Sequence, residues 1–224
     1  MSSKAKLVYF DGRGRMESIR WVLAAAGIEF EEEFLKTKDE YQKLLKDGVL
    51  LYEQLPMVEM DGMRLVQTRA IINYVADKAG MQPRDARQRA HVDMYVEGMR
   101  DLGELMLPLA FLKPEEFEQR LKQVEDKASK RYLPVYEKVL GDGGGGGGFL
   151  VGTSLTVADV LLLELLLALE ERFPKLLSGF PHLQEFKGRL SQEPNIKRFL
   201  QPGSQRKAMP DQVYVDTVRS VYNI

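Results

Sequence analysis

The sequence predicts an α/β domain followed by an all-helical one. Up to about Lys78, short apolar runs alternate with stretches of helical periodicity. Residues 79–86, which contain Gly80 and Pro83, break the pattern, and beyond them the apolar residues recur at helical spacing. Strands alternating with helices imply a parallel pair, and a hairpin adds antiparallel strands. We therefore place a first domain at residues 1–80 and a second at residues 86–224.

Taken in order, residues 6–10 form a short apolar, aromatic run that stops at Asp11-Gly12-Arg13-Gly14, a strand followed by a loop. Residues 15–26 read as a helix, since Met16, Ile19, Leu23 and Ala26 share a face and Gly27 supplies a C-terminal cap. Residues 28–35 alternate apolar with acidic and read as a strand. Residues 39–46 read as a short helix, ended near Asp47-Gly48. Pro56 stands before the apolar run 57–60, where a missing N–H does least harm to a ladder, and is a candidate for a cis bond that would turn the preceding backbone toward a ligand. Asp61-Gly62 between two apolar runs is a strong hairpin signal, because both residues tolerate positive φ. Gln67-Thr68 then precedes the helical pattern of Ala70, Ile71, Tyr74 and Val75. Thr68 suits a cap there, and the same first-turn amides suit a bound carboxylate.

In the second half, residues 87–112 read as one long helix bent near Pro108, and residues 114–140 as another kinked at Pro134. The glycine run at 143–148 reads as a flexible surface linker; no Lys and Ser or Thr follow it, as a phosphate loop requires. Thr156 and Asp159 resemble a capping box, flanked by Leu155 and Val160 as a staple. The helix beginning at Val157 is apolar on almost every face and is expected to form the second core, with Asp159 a folding signal rather than a catalytic acid. Residues 182–190, 195–200 and 211–221 read as the remaining helices.

Composition narrows the chemistry. The chain has 224 residues, 44% hydrophobic, with a formal charge of −1 and acids and bases interspersed, which gives no field for nucleic acid or a membrane surface. Its apolar stretches are too short or too interrupted to cross a bilayer, and the first residues lack the apolar core of a signal peptide. A cytoplasmic protein is the expectation. The absence of cysteine excludes thiolate metal sites and a cysteine nucleophile. The two histidines, His91 and His182, have no second ligand at helical spacing, so no metal is expected. Gly12-Arg13-Gly14 lacks the third glycine of a dinucleotide fingerprint. Any nucleophile is expected to come from outside the chain. Tyr9 ends the first strand, where α/β sheets place ligands, and Arg15 puts a cation in the first turn of a helix, against its dipole. An anion to meet Arg15 and a merely solvated Arg15 both fit these residues.

The chain resembles the alpha class of cytosolic glutathione transferases over essentially its whole length. The matching runs are Tyr9 with residues 12–18, Trp21 to Gly27, Gln54-Leu55-Pro56-Met57-Val58, residues 59–63, residues 66–71, Arg131-Tyr132, residues 149–152 and residues 199–204. The resemblance implies a thioredoxin-like N-terminal domain (βαβ-α-ββα), an all-helical C-terminal domain, a homodimer, and glutathione as co-substrate. By this resemblance Tyr9 donates to the glutathione sulfur and Arg15 adds positive charge. Gln54, Leu55 and Pro56 pair with the tripeptide backbone, and Gln67 and Thr68 hold its γ-glutamyl carboxylate. Asp101 and Arg131 reach the site across the dimer, and Tyr52 is the aromatic key that enters the partner. Leu45 departs from the family, which often carries a basic residue there; Lys43 or Lys46 are the substitutes. The implied electrophile pocket comprises Phe10, Gly12, Leu107, Pro108, Phe111, Met209, Val213, Tyr214, Val218 and Tyr222. The subgroup most similar prefers alkenals such as 4-hydroxynonenal, which points to Tyr214 as the group that polarises the carbonyl. Hydroperoxide reduction, ketosteroid isomerisation and a non-catalytic ligand-binding role are the alternatives the resemblance leaves open.

Overall fold

The structure, a computed structural model, describes residues 4–224. Residues 1–3, part of the N-terminal stretch read for targeting signals, lie outside the described residues. The chain divides into two compact units, Met1–Val75 with Gln201–Ile224, and Ala76–Leu200. The C-terminal segment, expected to belong with the helical half, thus groups with the first unit. The grouping has a local cause: Gln205 donates to the carbonyl of Phe30 (3.2 Å), and Lys207 pairs with Asp11 (2.9 Å).

The first unit contains β1 (Ala5–Tyr9), α1 (Glu17–Ala25), β2 (Phe30–Phe34), α2 (Lys38–Lys46), β3 (Met57–Met60), β4 (Met63–Val66) and the start of α3 (Thr68–Lys78). Its sheet order is β2-β1-β3-β4. β1 runs parallel to β2 and antiparallel to β3, and β3 pairs antiparallel with β4 through the Asp61-Gly62 turn. Asp61 and Gly62 both take positive φ, as a primed turn demands. Alternate residues of a strand face opposite sides. Leu7, Met57 and Val58 are nevertheless all buried, so the central strands are covered on both faces. The helix expected from Arg15 starts later: Gly14–Met16 form a 3-10 turn before α1. Gly27 (φ 69°) caps α1, its N–H bonding the carbonyl of Ala24. At α2 a capping box of Thr37 and Glu40 sets the start one residue earlier than expected.

The second unit is helical: α4 (Ala86–Met106), α5 (Pro114–Lys127), α6 (Leu133–Gly141), α7 (Val157–Arg172), α8 (Pro181–Leu190) and α9 (Pro194–Phe199). The long helix expected over residues 87–112 ends at Met106 and passes into a 3-10 turn, Leu107–Phe111, at Pro108. The helix expected over residues 114–140 is interrupted before Pro134 by a π-helical turn, Ala128–Tyr132, and Pro134 stands in the first turn of α6, where a missing N–H is tolerated. The glycine run is a hydrogen-bonded turn rather than a bare linker. Gly145 donates to the carbonyl of Phe149, and a Cβ at Gly145 would lie 1.8 Å from the amide nitrogen of Gly152.

Asp159 anchors the second core. It is fully buried at the start of α7, and burial pushes its carboxyl upward. It accepts from the N–H of Leu150 (2.8 Å), the N–H of Thr156 (2.8 Å) and the Thr156 hydroxyl (2.7 Å). One carboxylate therefore caps the helix and ties it to the segment that precedes it. Removing it leaves buried donors unsatisfied. Asp159→Ala is expected to lower stability by about 3 kcal/mol or more, and Asp159→Asn by less, in denaturant unfolding. An unchanged midpoint for Asp159→Ala would refute this role.

Candidate active site

The site grows from the end of β1. The Tyr9 carbonyl accepts from Leu35 (2.9 Å), which holds the strand end beside β2. Its side chain is buried, and its hydroxyl accepts from the backbone N–H of Arg15 (3.0 Å). Phe10 packs edge-on against Tyr9, ring centroids 5.3 Å apart. The loop can fold back this tightly because Gly14 takes a positive φ of 40°. A Cβ there would lie 2.2 Å from the Tyr9 hydroxyl oxygen.

Behind the loop lies a charge cluster. Arg20 is fully buried on α1 and donates to Glu17 (2.9 Å), Glu32 (2.7 Å) and the Gly12 carbonyl (2.8 Å). Glu17 also accepts from the backbone N–H of Lys207 (3.3 Å), and burial pushes its carboxyl upward against the pull of Arg20. Arg13 donates to the Lys207 carbonyl (2.8 Å). The Lys207 ammonium reaches Asp11 (2.9 Å) and Glu32 (3.5 Å) and sits 4.3 Å from the Phe34 ring centroid. These contacts bind the C-terminal segment to the β1–α1 loop.

That segment ends in α10 (Gln212–Tyr222), whose N-terminus is capped by Asp211 accepting from the N–H of Tyr214 (2.8 Å). Tyr214, Val215, Val218 and Val221 form its buried face. Gly12 lies under the Tyr214 ring, where a Cβ would come within 2.2 Å of it. The Tyr214 side chain is hydrogen-bonded to that of Tyr9. Tyr222 packs edge-on against Phe10 (5.4 Å) and Tyr41 (5.2 Å), and its hydroxyl takes a hydrogen bond from the Leu55 backbone. Phe10, Gly12, Tyr214 and Tyr222 are thus brought together. Val213 and Met209 are not part of that cluster's buried face: Val213 is 73% exposed, one position round the helix from Tyr214, and Met209 is also exposed.

The hairpin supplies a second edge. The Leu55–Pro56 bond is cis. Gln67 takes the N-cap position with φ 71°, and its side-chain amide donates to Gln54 (3.1 Å). Thr68 does not cap α3, as expected from the sequence, because α3 begins at Thr68 itself and the Gln67 carbonyl accepts the first helical bond, from Ile71. The Thr68 hydroxyl instead donates to the carbonyl of Arg15 (3.2 Å), so hairpin and β1–α1 loop meet there. Lys43 and Lys46 are exposed near the half-buried Leu45 at the end of α2. Tyr52 and Leu51 stand exposed in the loop before β3.

The remaining candidates belong to the second unit. Asp101 is exposed on α4, and Arg131 is exposed on the π-helical turn with its guanidinium 5.4 Å from the Tyr132 ring centroid. Leu107, Pro108 and Phe111 line the 3-10 turn after α4. Among the described residues, no group of three or more His, Asp or Glu side chains could hold a metal ion. Sequence reasoning missed Glu17, Arg20, Glu32 and Lys207. The legible part of that cluster was Arg20 on the apolar face of α1, three residues from Glu17, a spacing at which helix side chains meet.

Comparison with known proteins bears on this arrangement. Residues 5–77 match the family model "Glutathione S-transferase, N-terminal domain", and residues 100–203 match "Glutathione S-transferase, C-terminal domain". The chain is 54% identical over 224 residues to glutathione S-transferase A4 of Bos taurus, covering 100% of this chain and 99% of that protein. It is 49% identical over 223 residues to glutathione S-transferase alpha-3 of Rattus norvegicus, covering 100% of both. The crystal structure of the glutathione S-transferase from Ascaris lumbricoides superposes with a TM-score of 0.76 at 30% identity, over 91% of this chain and 100% of that one. With a four-stranded mixed sheet of thioredoxin-like order, a helical second unit and these relatives, the chain belongs to the alpha class of the glutathione S-transferase family and is a transferase that uses glutathione as its co-substrate.

Proposed function

We propose that this enzyme conjugates glutathione to hydrophobic electrophiles with 4-hydroxyalkenals among its preferred substrates, and that Tyr9, Arg15 and Tyr214 carry the reaction. The observation that carries this reading is the convergence of the Tyr9 and Tyr214 side chains over Gly14. Tyr9 donates to the glutathione sulfur, which favours thiolate over thiol, and the exposed Arg15 adds positive charge at the same place. The thiol proton leaves to solvent. The sulfur lone pair then forms a C–S bond at the β-carbon of the enal, and the displaced π pair moves onto the carbonyl oxygen. A donor already in position meets that developing charge, and the Tyr214 hydroxyl is that donor. Protonation at the α-carbon completes the addition.

Gln54 and the Leu55 backbone before Pro56 hold the tripeptide main chain, which takes the Leu55 backbone from Tyr222 on binding. Gln67 and Thr68 bind the γ-glutamyl carboxylate at the N-terminus of α3, where the helix dipole favours an anion. The unit built on the four-stranded sheet is the glutathione-binding domain. Phe10, Gly12, Val218 and Tyr222 supply the apolar lining. The protein works in the cytoplasm as a homodimer in which Tyr52 enters the partner and Asp101 and Arg131 complete the partner's glutathione site. The exposure of Tyr52 and Leu51 supports this, since large apolar side chains in the open mark interaction surfaces.

Tyr9→Phe is expected to lower kcat by about 100-fold, the lower end of the range for loss of one positioned donor, with little change in glutathione affinity. Unchanged turnover removes Tyr9 from the mechanism. Tyr214→Phe is expected to reduce turnover of 4-hydroxynonenal more than that of an aromatic chloride. Equal losses would overturn the alkenal assignment, and a rate panel that includes a hydroperoxide and a ketosteroid would show which other chemistry dominates. Tyr52→Ala is expected to shift the protein toward monomer in sedimentation, at a cost of about 2 kcal/mol or more of association energy; an unchanged mass at low concentration argues against the key.

A further inference from the structure

A phenol oxygen can accept two hydrogen bonds and donate one. The Tyr9 oxygen already accepts from the backbone N–H of Arg15. Its second contact is the Tyr214 side chain. The direction of that bond decides what Tyr9 can do. If Tyr9 donated to Tyr214, its only proton would be spent inside the protein and nothing would face the sulfur. If Tyr214 donates, Tyr9 is an acceptor twice over and keeps its proton for an outside partner. Accepted hydrogen bonds also polarise the O–H that remains, because bonds in a chain strengthen one another.

The loop is shaped to hold Tyr214 in this place. At Gly12 a Cβ would overlap the Tyr214 ring at 2.2 Å, and at Gly14 it would overlap the Tyr9 and Tyr214 hydroxyl oxygens at 2.2 and 2.7 Å. Two glycines of one loop therefore leave room for the Tyr214 ring from α10 beside the Tyr9 hydroxyl. The ring also packs edge-on against Phe10, centroids 6.4 Å apart. From this geometry we infer that Tyr214 is a positioning residue for Tyr9, donating to its oxygen and so strengthening the hydrogen bond that Tyr9 gives the glutathione sulfur. The inference rests on the reading of Tyr9 as the sulfur's donor. It precedes the alkenal role: the single Tyr214 proton is given to Tyr9 while the thiolate forms, whatever the electrophile, and turns to the carbonyl oxygen only when an enal is being attacked.

The charged and titratable groups around the pair are Arg15 on the 3-10 turn, Arg20 on α1 with Glu17 and Glu32 behind it, Tyr41 on α2 and Tyr222 on α10. Burial pushes Tyr214 and Tyr222 upward, Tyr222 to about 12, and Tyr41 is raised as well. These phenols therefore stay protonated through the range in which a thiol, ordinarily near 8.5, titrates.

The test needs no electrophile. Glutathione bound to the full-length enzyme is titrated by the ultraviolet absorbance of its thiolate, in the unmodified protein, Tyr9→Phe, Tyr214→Phe and Gly12→Ala. Tyr214→Phe keeps the ring in its slot and deletes only the hydroxyl. It is expected to raise the apparent thiol pKa by roughly half a unit to one unit, the shift that one ordinary hydrogen bond corresponds to. Gly12→Ala, which displaces the ring, is expected to raise it as well. Tyr9→Phe should give the largest rise. If Tyr9→Phe shifts the titration and Tyr214→Phe leaves it where the unmodified protein has it, Tyr214 does not act through Tyr9 and the inference is overturned. If Tyr9→Phe itself produces no shift, the reading of Tyr9 fails first and the inference falls with it.

Discussion

The burial of Arg20 is the constraint on which the rest of the first unit depends. A fully buried guanidinium is costly unless its donors meet carboxylates, and here two carboxylates and a carbonyl surround it. Each partner comes from a different place: Glu17 from the same helix, Glu32 from β2, and the Gly12 carbonyl from the β1–α1 loop. Through its Nε and Nη1 donors this one charge fixes the loop that carries Gly12, Gly14 and Arg15 against both the sheet and α1, while its Nη2 is left without a partner. Such a pair is weak evidence of net stability, since an apolar replacement can be as stable; what it provides is a single loop geometry.

Lys207 extends this constraint to the other end of the chain. Its N–H, carbonyl and ammonium are all engaged by groups of the β1–α1 loop, α1 and β2. The segment that follows is thereby delivered to the loop, and Tyr214 enters the slot above Gly12. A protein without cysteine must bring its sulfur with its substrate, so its own task is to supply donors and exclude water. The Tyr9 and Tyr214 side chains meet at this loop, and each phenol carries one O–H that can donate.

Local chemistry accounts for the elements that were legible beforehand. The Asp61-Gly62 turn, the Gly27 cap and the Thr156–Asp159 box each involve residues close in sequence, so their patterns can be read without the fold. The differences arise where neighbours compete. Arg15 falls in a 3-10 turn instead of the helix because Gly14 takes positive φ and the Arg15 N–H is given to Tyr9. Thr68 is the first residue of α3 rather than its cap, and its hydroxyl serves the Arg15 carbonyl, 53 positions away in the chain. At the glycine run, composition suggested a free linker, yet close backbone approach at Gly145 and Gly152 needs residues without side chains.

By itself the sequence determined the order of strands and helices and the absence of any thiol chemistry from the chain, which depend on short spacings and residue type. Its resemblance to a family marked Tyr9, Pro56, Gln67 and Thr68 as candidate glutathione contacts. Only the tertiary structure decided that residues 201–224 pack with the sheet unit, that Arg20 and Lys207 organise the loop between them, and that Tyr214 bonds to Tyr9. These contacts join residues nearly two hundred positions apart, and no local periodicity encodes which distant donor will meet a given acceptor. The physical reason is that burial makes every unpaired polar group costly, so the partners are chosen by the packed fold as a whole.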